Sequence, residues 1–122
     1  ARDMLREVRQ MPRAELGHVM NIVSRLGSRP GRLVESEQPS PGEVRKLMLA
    51  RGMSQAPYVI VMDEPTNHLD LPSIEALESA LKECPCALIL VSHDMRFVDS
   101  VGAQRWEVEV DESGDSHVQV LL

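Results

Sequence analysis

The sequence predicts an α/β chain in which parallel strands are joined by a crossover helix, with helices ahead of them and a strand hairpin behind. Three observations carry that expectation. Two short, wholly apolar runs, "YVIVM" at 58 to 62 and "ALILV" at 87 to 91, are separated by a segment of helical periodicity. Strand, helix, strand in that order joins parallel strands through a right-handed crossover. Ahead of them Leu16, Val19, Met20, Val23 and Leu26 recur at helical spacing, and behind them two strand-like stretches flank "DESGDS".

Taken in order, residues 2 to 10 read as a short charged helix. A second helix runs from Pro12 and stops at Gly27, a residue suited to a helix C-terminus. Residues 28 to 39, "SRPGRLVESEQP", are polar and turn-rich, and predict a linker without an element of its own. Ser40 followed by Glu43 is a capping box, with Pro41 in the first helical turn where proline is tolerated. Val44, Leu47, Met48 and Arg51 give the helix that follows one mostly apolar stripe. Residues 58 to 62 form a continuous apolar strand of the kind buried on both faces. Pro72 starts another helix with Ile74, Leu77 and Leu81 inside, and the second strand ends in Ser92, His93 and Asp94. A short helix is expected at 95 to 101, and a hairpin from strands at 105 to 110 and 117 to 121. Trp106 is expected to anchor the packing of that hairpin, and Asp111 to Asp115 to form a solvated turn. The organisation is then a helical subdomain with linker at 1–38, a central unit at 39–104, and a terminal hairpin at 105–122.

Hydrophobic residues make up 43% and charged residues 26% of the 122 residues, ordinary values for a soluble domain. A chain of this length buries about two thirds of its unfolded surface. With aromatics at 2%, the core must come from Leu, Val, Ile, Met and Ala, so Met48, Met53 and Met62 read as core fillers. The net charge of -6 argues against this chain gripping nucleic acid by its phosphates. No apolar run approaches the roughly 18 residues a membrane helix needs, and no signal peptide is visible. Cys84 and Cys86 flank Pro85 without a second Cys pair or His cluster to complete a metal site. They read as small half-buried residues in a turn, and fit a reducing cytoplasm. The chain opens on Ala1 rather than Met and its helical text begins at once, which reads as an excised fragment.

The chemistry gathers at the strand ends. In an open parallel sheet ligands bind outside the carboxyl ends of the strands. Both strands end there in polar residues: Asp63 and Glu64 on one, Ser92 and His93 on the other. A carboxylate at such an end can hold Mg²⁺, which takes few protein ligands and keeps several waters. A second carboxylate one residue on can orient or deprotonate an attacking water, and a facing histidine can contact a transferred phosphoryl group. Taken singly, each feature has a plainer reading: Asp-Glu-Pro-Thr as a polar exit from a strand, His93 as a surface histidine, Ser40 to Glu43 as a helix cap. His18, His68 and His117 have no evident partners.

Together the motifs resemble the ATP-binding cassette superfamily. "VIVMDEPTNHLD" is similar to its Walker B strand and D-loop, "SPGEVRKLMLARG" to its signature motif and helix, and "ILVSHD" to its switch-histidine strand. The order and spacing match over roughly residues 39 to 100. "TNHLD", "DLPSIEALESAL" and "VSHDMRFVD" most resemble the F subfamily, soluble twin-cassette proteins without membrane domains, many of which act on the ribosome. The resemblance implies a partial P-loop NTPase fold and ATP with Mg²⁺ as ligands. It implies Asp63 as the Mg²⁺ support, Glu64 as the general base and His93 as the γ-phosphate contact. Asn67, His68 and Asp70 would form the loop reaching a second cassette. Ser40, Gly42 and Glu43, with the amides at that helix start, would meet the γ-phosphate held by the opposite cassette. It also implies a cytoplasmic parent protein with the ribosome as partner.

The signature departs from the usual Leu-Ser-Gly-Gly-Gln: Pro39 stands for Leu, Pro41 for the first Gly, and Glu43 for Gln. Pro41 removes an N–H donor and Glu43 brings a negative charge towards a triphosphate, a cost that shrinks if Glu43 folds back on the Ser40 amide. No Gly-x-x-x-x-Gly-Lys-Ser/Thr occurs, so the chain contains no Walker A loop. The expectation is therefore a distal portion of a nucleotide-binding domain that is inactive alone and whose "ALILV" strand has an open edge. Alternatives remain at this point: the ATPase subunit of a membrane transporter, the C-terminal head lobe of a DNA-repair or chromosome-maintenance ATPase, or a non-catalytic interaction module.

Overall fold

The computed structural model describes residues 2–102 and 104–121, apart from the side chain of Arg2. Four helices come first: α1 (Arg2–Arg9), α2 (Arg13–Arg25), α3 (Pro30–Glu35) and α4 (Pro41–Ser54). Then β1 (Val59–Asp63), α5 (Leu71–Glu83) and β2 (Ala87–Val91) form the crossover unit, followed by α6 (Met95–Val101) and the hairpin β3 (Arg105–Val110) and β4 (Ser116–Leu121). The partial α/β fold with parallel strands is present as expected: β1 pairs with β2 in parallel, from Val59 opposite Ala87 to Asp63 opposite Val91.

Local chemistry sets the helix ends. α2 stops because Gly27 takes a φ of 81°, which lets its N–H reach the Ser24 carbonyl and the Ser28 N–H reach that of Val23. Those two bonds are the Schellman closure that glycine permits. α4 starts on the capping box, α5 on Asp70, whose carboxylate accepts from the Ser73 N–H at 3.2 Å, and α6 on Asp94, which accepts from the Phe97 N–H at 3.1 Å.

One core runs through the helices and onto one face of the parallel pair: Leu5, Val8, Val19, Val23, Leu26, Leu33, Leu47 and Ala50, then Met62, Leu77, Leu81 and Phe97. Ile60, Leu88 and Leu90 pack against it from the strands. No described helix is long and apolar enough to cross a membrane.

Several expectations need correction. The segment 28–39 is not all linker: it contains α3, whose Leu33 is fully buried and whose Val34 carbonyl receives the Arg9 guanidinium. The strands are covered on one face only: Ile60, Met62, Leu88 and Leu90 turn to the core, while Val59, Val61, Ile89 and Val91 are each more than half exposed. Trp106 anchors nothing, being 66% exposed on an uncovered hairpin face with Val108, Val110, Val118 and Val120. Of the stripe on α4, Leu47 is buried with Ala50, while Met48 faces out and is no core filler. His117 has a partner in Asp111, whose carboxylate also receives Ser113 and the Asp115 N–H and is held down to about 2, chiefly by Ser113. Cys84 and Cys86 are free and half-buried as expected; the hydrogen bond between them pushes the Cys84 thiol up to about 11, so it stays protonated at neutral pH.

Candidate functional site

The two strands deliver the expected polar residues to one edge. Asp63 is the last residue of β1 opposite Val91, and the ladder continues one step further as the Glu64 N–H donates to the Val91 carbonyl at 2.8 Å. This register sets Glu64 beside His93, and the His93 Nδ1 is hydrogen-bonded to the Glu64 carboxylate. Glu64 is three-quarters covered whereas the His93 ring is almost fully exposed, so water screens the pair and its worth to stability is small. The contact with Glu64, with a further pull from Asp63, raises the His93 pKa above its ordinary value.

Past Glu64 the chain turns sharply. Glu64 itself has a φ of 46° and His68 one of 65°, both left-handed, and Pro65 between them is buried. The Asn67 N–H donates to the Glu64 carbonyl at 3.3 Å, while the Asn67 and His68 side chains are exposed. Asp70 ends the turn, and its carboxylate is spent on Ser73, whose hydroxyl bond is the main reason its pKa is lowered.

The start of α4 lies against this turn. Ser40 Oγ accepts from the Glu43 N–H at 3.2 Å and Glu43 Oε2 accepts from the Ser40 N–H at 2.8 Å, so the box folds Glu43 back as anticipated. That backbone bond is the chief reason the Glu43 carboxyl is lowered, with Arg32 and Lys46 adding to it. Gly42 sits so close to the turn that a Cβ there would lie 2.6 Å from the His68 carbonyl oxygen. A cleft of about 450 Å³ opens beside Ser40 and Glu43, and Arg29, Arg32 and Lys46 line it. The structure thus brings Glu64 and His93 together at one sheet edge, and Ser40, Gly42 and Glu43 together at one helix start, the latter touching the turn through Gly42.

Sequence reasoning missed two groups here. Arg29, Arg32 and Lys46 supply positive charge next to Glu43, but two of them fall in the stretch read as linker. Arg45 reaches across to donate to the Asp63 carbonyl at 2.7 Å and the Glu64 carbonyl at 2.5 Å, a contact that nothing local to α4 foretells.

The donor chemistry fits the ligands implied by the motifs only in part. Asp63 offers a hard oxygen ligand that makes no side-chain hydrogen bond among the described residues, which suits Mg²⁺. The helix start of α4 offers the Gly42 amide and the Ser40 hydroxyl to a single phosphate, since Pro41 has no N–H and the amides of Ser40, Glu43 and Val44 are already bonded. Nothing in the sequence cradles a whole triphosphate, since it holds no Walker A loop.

Comparisons with known proteins agree with the motifs. No family model matches the chain. It is 47% identical over 62 residues to the ATP-binding protein Uup of Caulobacter vibrioides, covering 51% of this chain and 10% of that protein. It is 40% identical over 84 residues to the ribosome protection protein VmlR of Bacillus subtilis, covering 68% of this chain and 15% of that one. The chain therefore spans between a tenth and a sixth of the length of these curated relatives. In fold it is similar to a chain in the crystal structure of archaeal ribosomal stalk protein aP1 with the archaeal ribosome recycling factor aABCE1. There the TM-score is 0.62 at 18% identity, over 96% of this chain and 23% of that one.

Proposed function

Since the chain belongs to the ATP-binding cassette ATPases, F subfamily, we propose that it supplies the hydrolytic turn and signature helix of a cassette in a longer parent protein. That parent binds and hydrolyses ATP at a head-to-tail interface between two cassettes. The observation that carries the reading is the meeting of Glu64 and His93 at the carboxyl end of the parallel pair.

In this reading Glu64 takes the proton of the attacking water on its carboxylate, and His93, bound to it through Nδ1, turns Nε2 to the γ-phosphoryl oxygens. Asp63 would hold Mg²⁺, which would supply positive charge to the phosphate oxygens. The Ser40 hydroxyl and the Gly42 amide at the α4 start meet the γ-phosphate held by the opposite cassette. Arg29, Arg32 and Lys46 offset the charge of Glu43 there. Asn67 and His68 are exposed on the turn and face the second cassette, while Asp70 fixes the turn's end by capping α5. Without a Walker A loop this chain alone does not turn over ATP. The ribosome is the partner proposed for the parent, because one relative is a ribosome protection protein. Such a partner would put the parent in the cytoplasm.

Ser40→Arg in the parent tests the half-site. The lost cap costs about 1 kcal/mol, too little to unfold the domain, while the bulky side chain occupies the place of the γ-phosphate. ATP-driven closure of the two cassettes, followed by light scattering or interdomain distance, should disappear. Closure at wild-type ATP concentrations would remove Ser40 from the role.

A further inference from the structure

The turn that carries Glu64 is bent in a way its residues resist. Glu64 and His68 both have left-handed backbones, φ 46° and 65°, and neither is glycine. A side chain on Cβ makes that conformation costly, and it persists only where the surroundings over-determine it. Here β2 holds the Glu64 N–H through the Val91 carbonyl, and α4 holds the carbonyl side of the turn. Arg45 donates from one guanidinium nitrogen to both the Asp63 and Glu64 carbonyls, at 2.7 and 2.5 Å. Three residues earlier on α4, and so on the same helix face, Gly42 lies directly against the His68 carbonyl. The first strained residue is pulled towards α4 by Arg45, and the second rests on α4 where only a glycine leaves room.

Two further features show that the guanidinium is committed to this contact. Its Nε is buried and has no hydrogen-bond partner, so no second acceptor competes for its orientation. None of the hydrogen bonds or ion pairs among the described residues gives Arg45 a carboxylate, although Asp63 and Glu64 supply the very carbonyls it holds. A charged donor on two neutral carbonyls orients backbone and leaves the carboxylates free for other work.

We propose that Arg45 is a positioning residue that ties the signature helix to the backbone of Glu64. It fixes where the Glu64 carboxylate stands, and it makes any displacement of the α4 start felt at that carboxylate. The second half rests on the function proposed above, in which the α4 start meets a phosphate of the opposite site; the first half does not.

Amide hydrogen exchange in the 122-residue chain tests the first half. Two bonds report on the turn: the Glu64 N–H to Val91 and the Asn67 N–H to the Glu64 carbonyl. In Arg45→Met these two amides should exchange at least about tenfold faster than in the wild type, while the amides of α2 keep their rates. Wild-type rates at Glu64 and Asn67, or an equal rise throughout the chain, would overturn the proposal. Should Arg45→Met fail to fold, Arg45→Lys carries the test, since a single ammonium on a shorter reach holds the two carbonyls less well. Intermediate exchange confined to the turn supports the assignment, and unchanged exchange refutes it. In the parent, Arg45→Lys should lower kcat for ATP hydrolysis with KM unchanged. An unchanged kcat in a variant whose turn is loosened would refute the coupling alone. A parent without ATPase activity would refute the function and leave the exchange result standing.

Discussion

In the helices up to Ser54, Val19, Val23 and Leu33 are fully out of solvent, whereas in the parallel pair Val61 and Ile89 keep 69% and 56% of their surface exposed. The difference follows from layering. α1 to α4 bury their apolar stripes in the shared core, and Arg9 adds two bonds from α1 to the Val34 carbonyl of α3. β1 and β2 meet the core on one side only, and parallel sheets ordinarily need a layer on both. The hairpin goes further, with a whole apolar face open. The total accessible surface, 8440 Å², exceeds the about 6,600 Å² expected of a compact monomer of this size. The lesson is that burial is uneven: the helices up to α4 are closed within the one core they share with a single face of the strands. The strand half keeps the surfaces that further structure would cover, with the candidate site lying where the strand ends meet the start of α4.

Breaking the comparison begins where the expected effect is largest. Leu33→Ala removes a fully buried side chain and should cost about 2–5 kcal/mol, read from chemical denaturation. A loss below about 1 kcal/mol would mean that Leu33 does not sit in the closed core described. A second test sits at the strand ends. His93 should titrate above its ordinary 6.5 because of Glu64. A raised folded pKa contributes stability that is complete below the ordinary value and lost as pH rises through the raised one. The pair therefore weakens on the alkaline side, by little because the ring is exposed. Proton NMR should show the His93 titration moving back towards 6.5 in Glu64→Gln; no movement would mean the two groups do not meet. The smallest effect belongs to the hairpin. Val108→Thr changes a residue 65% exposed on the open face and should alter stability by no more than about 0.5 kcal/mol. A larger cost would show that something covers that face.

How much of this was legible in the sequence depends on range. The capping box of Ser40 and Glu43, the stop at Gly27 and the crossover unit were legible because each is decided within a few residues or by a strong apolar pattern. The meeting of Glu64 with His93 followed from parallel strands of equal length. α3 was not legible, because six residues with Pro30 and Gly31 at their start show no periodicity, and the helix depends on burying Leu33 in a core built by other elements. Apolar content could not say which face of β1 and β2 would be covered, nor that Trp106 would stay outside. Arg45 was invisible as a site residue, since its contacts span 18 and 19 residues and depend on how α4 crosses the end of β1.

The most direct test of the proposed half-site is the hydrolysis rate of the parent carrying Glu64→Gln, measured beside its ATP affinity and beside the 122-residue chain alone. Removing a general base should lower turnover by about 10²–10⁴ while ATP binding survives, since Asp63 and the α4 start are untouched, and the 122-residue chain should show no turnover. Near-normal hydrolysis by Glu64→Gln, or hydrolysis by the 122-residue chain alone, would contradict it.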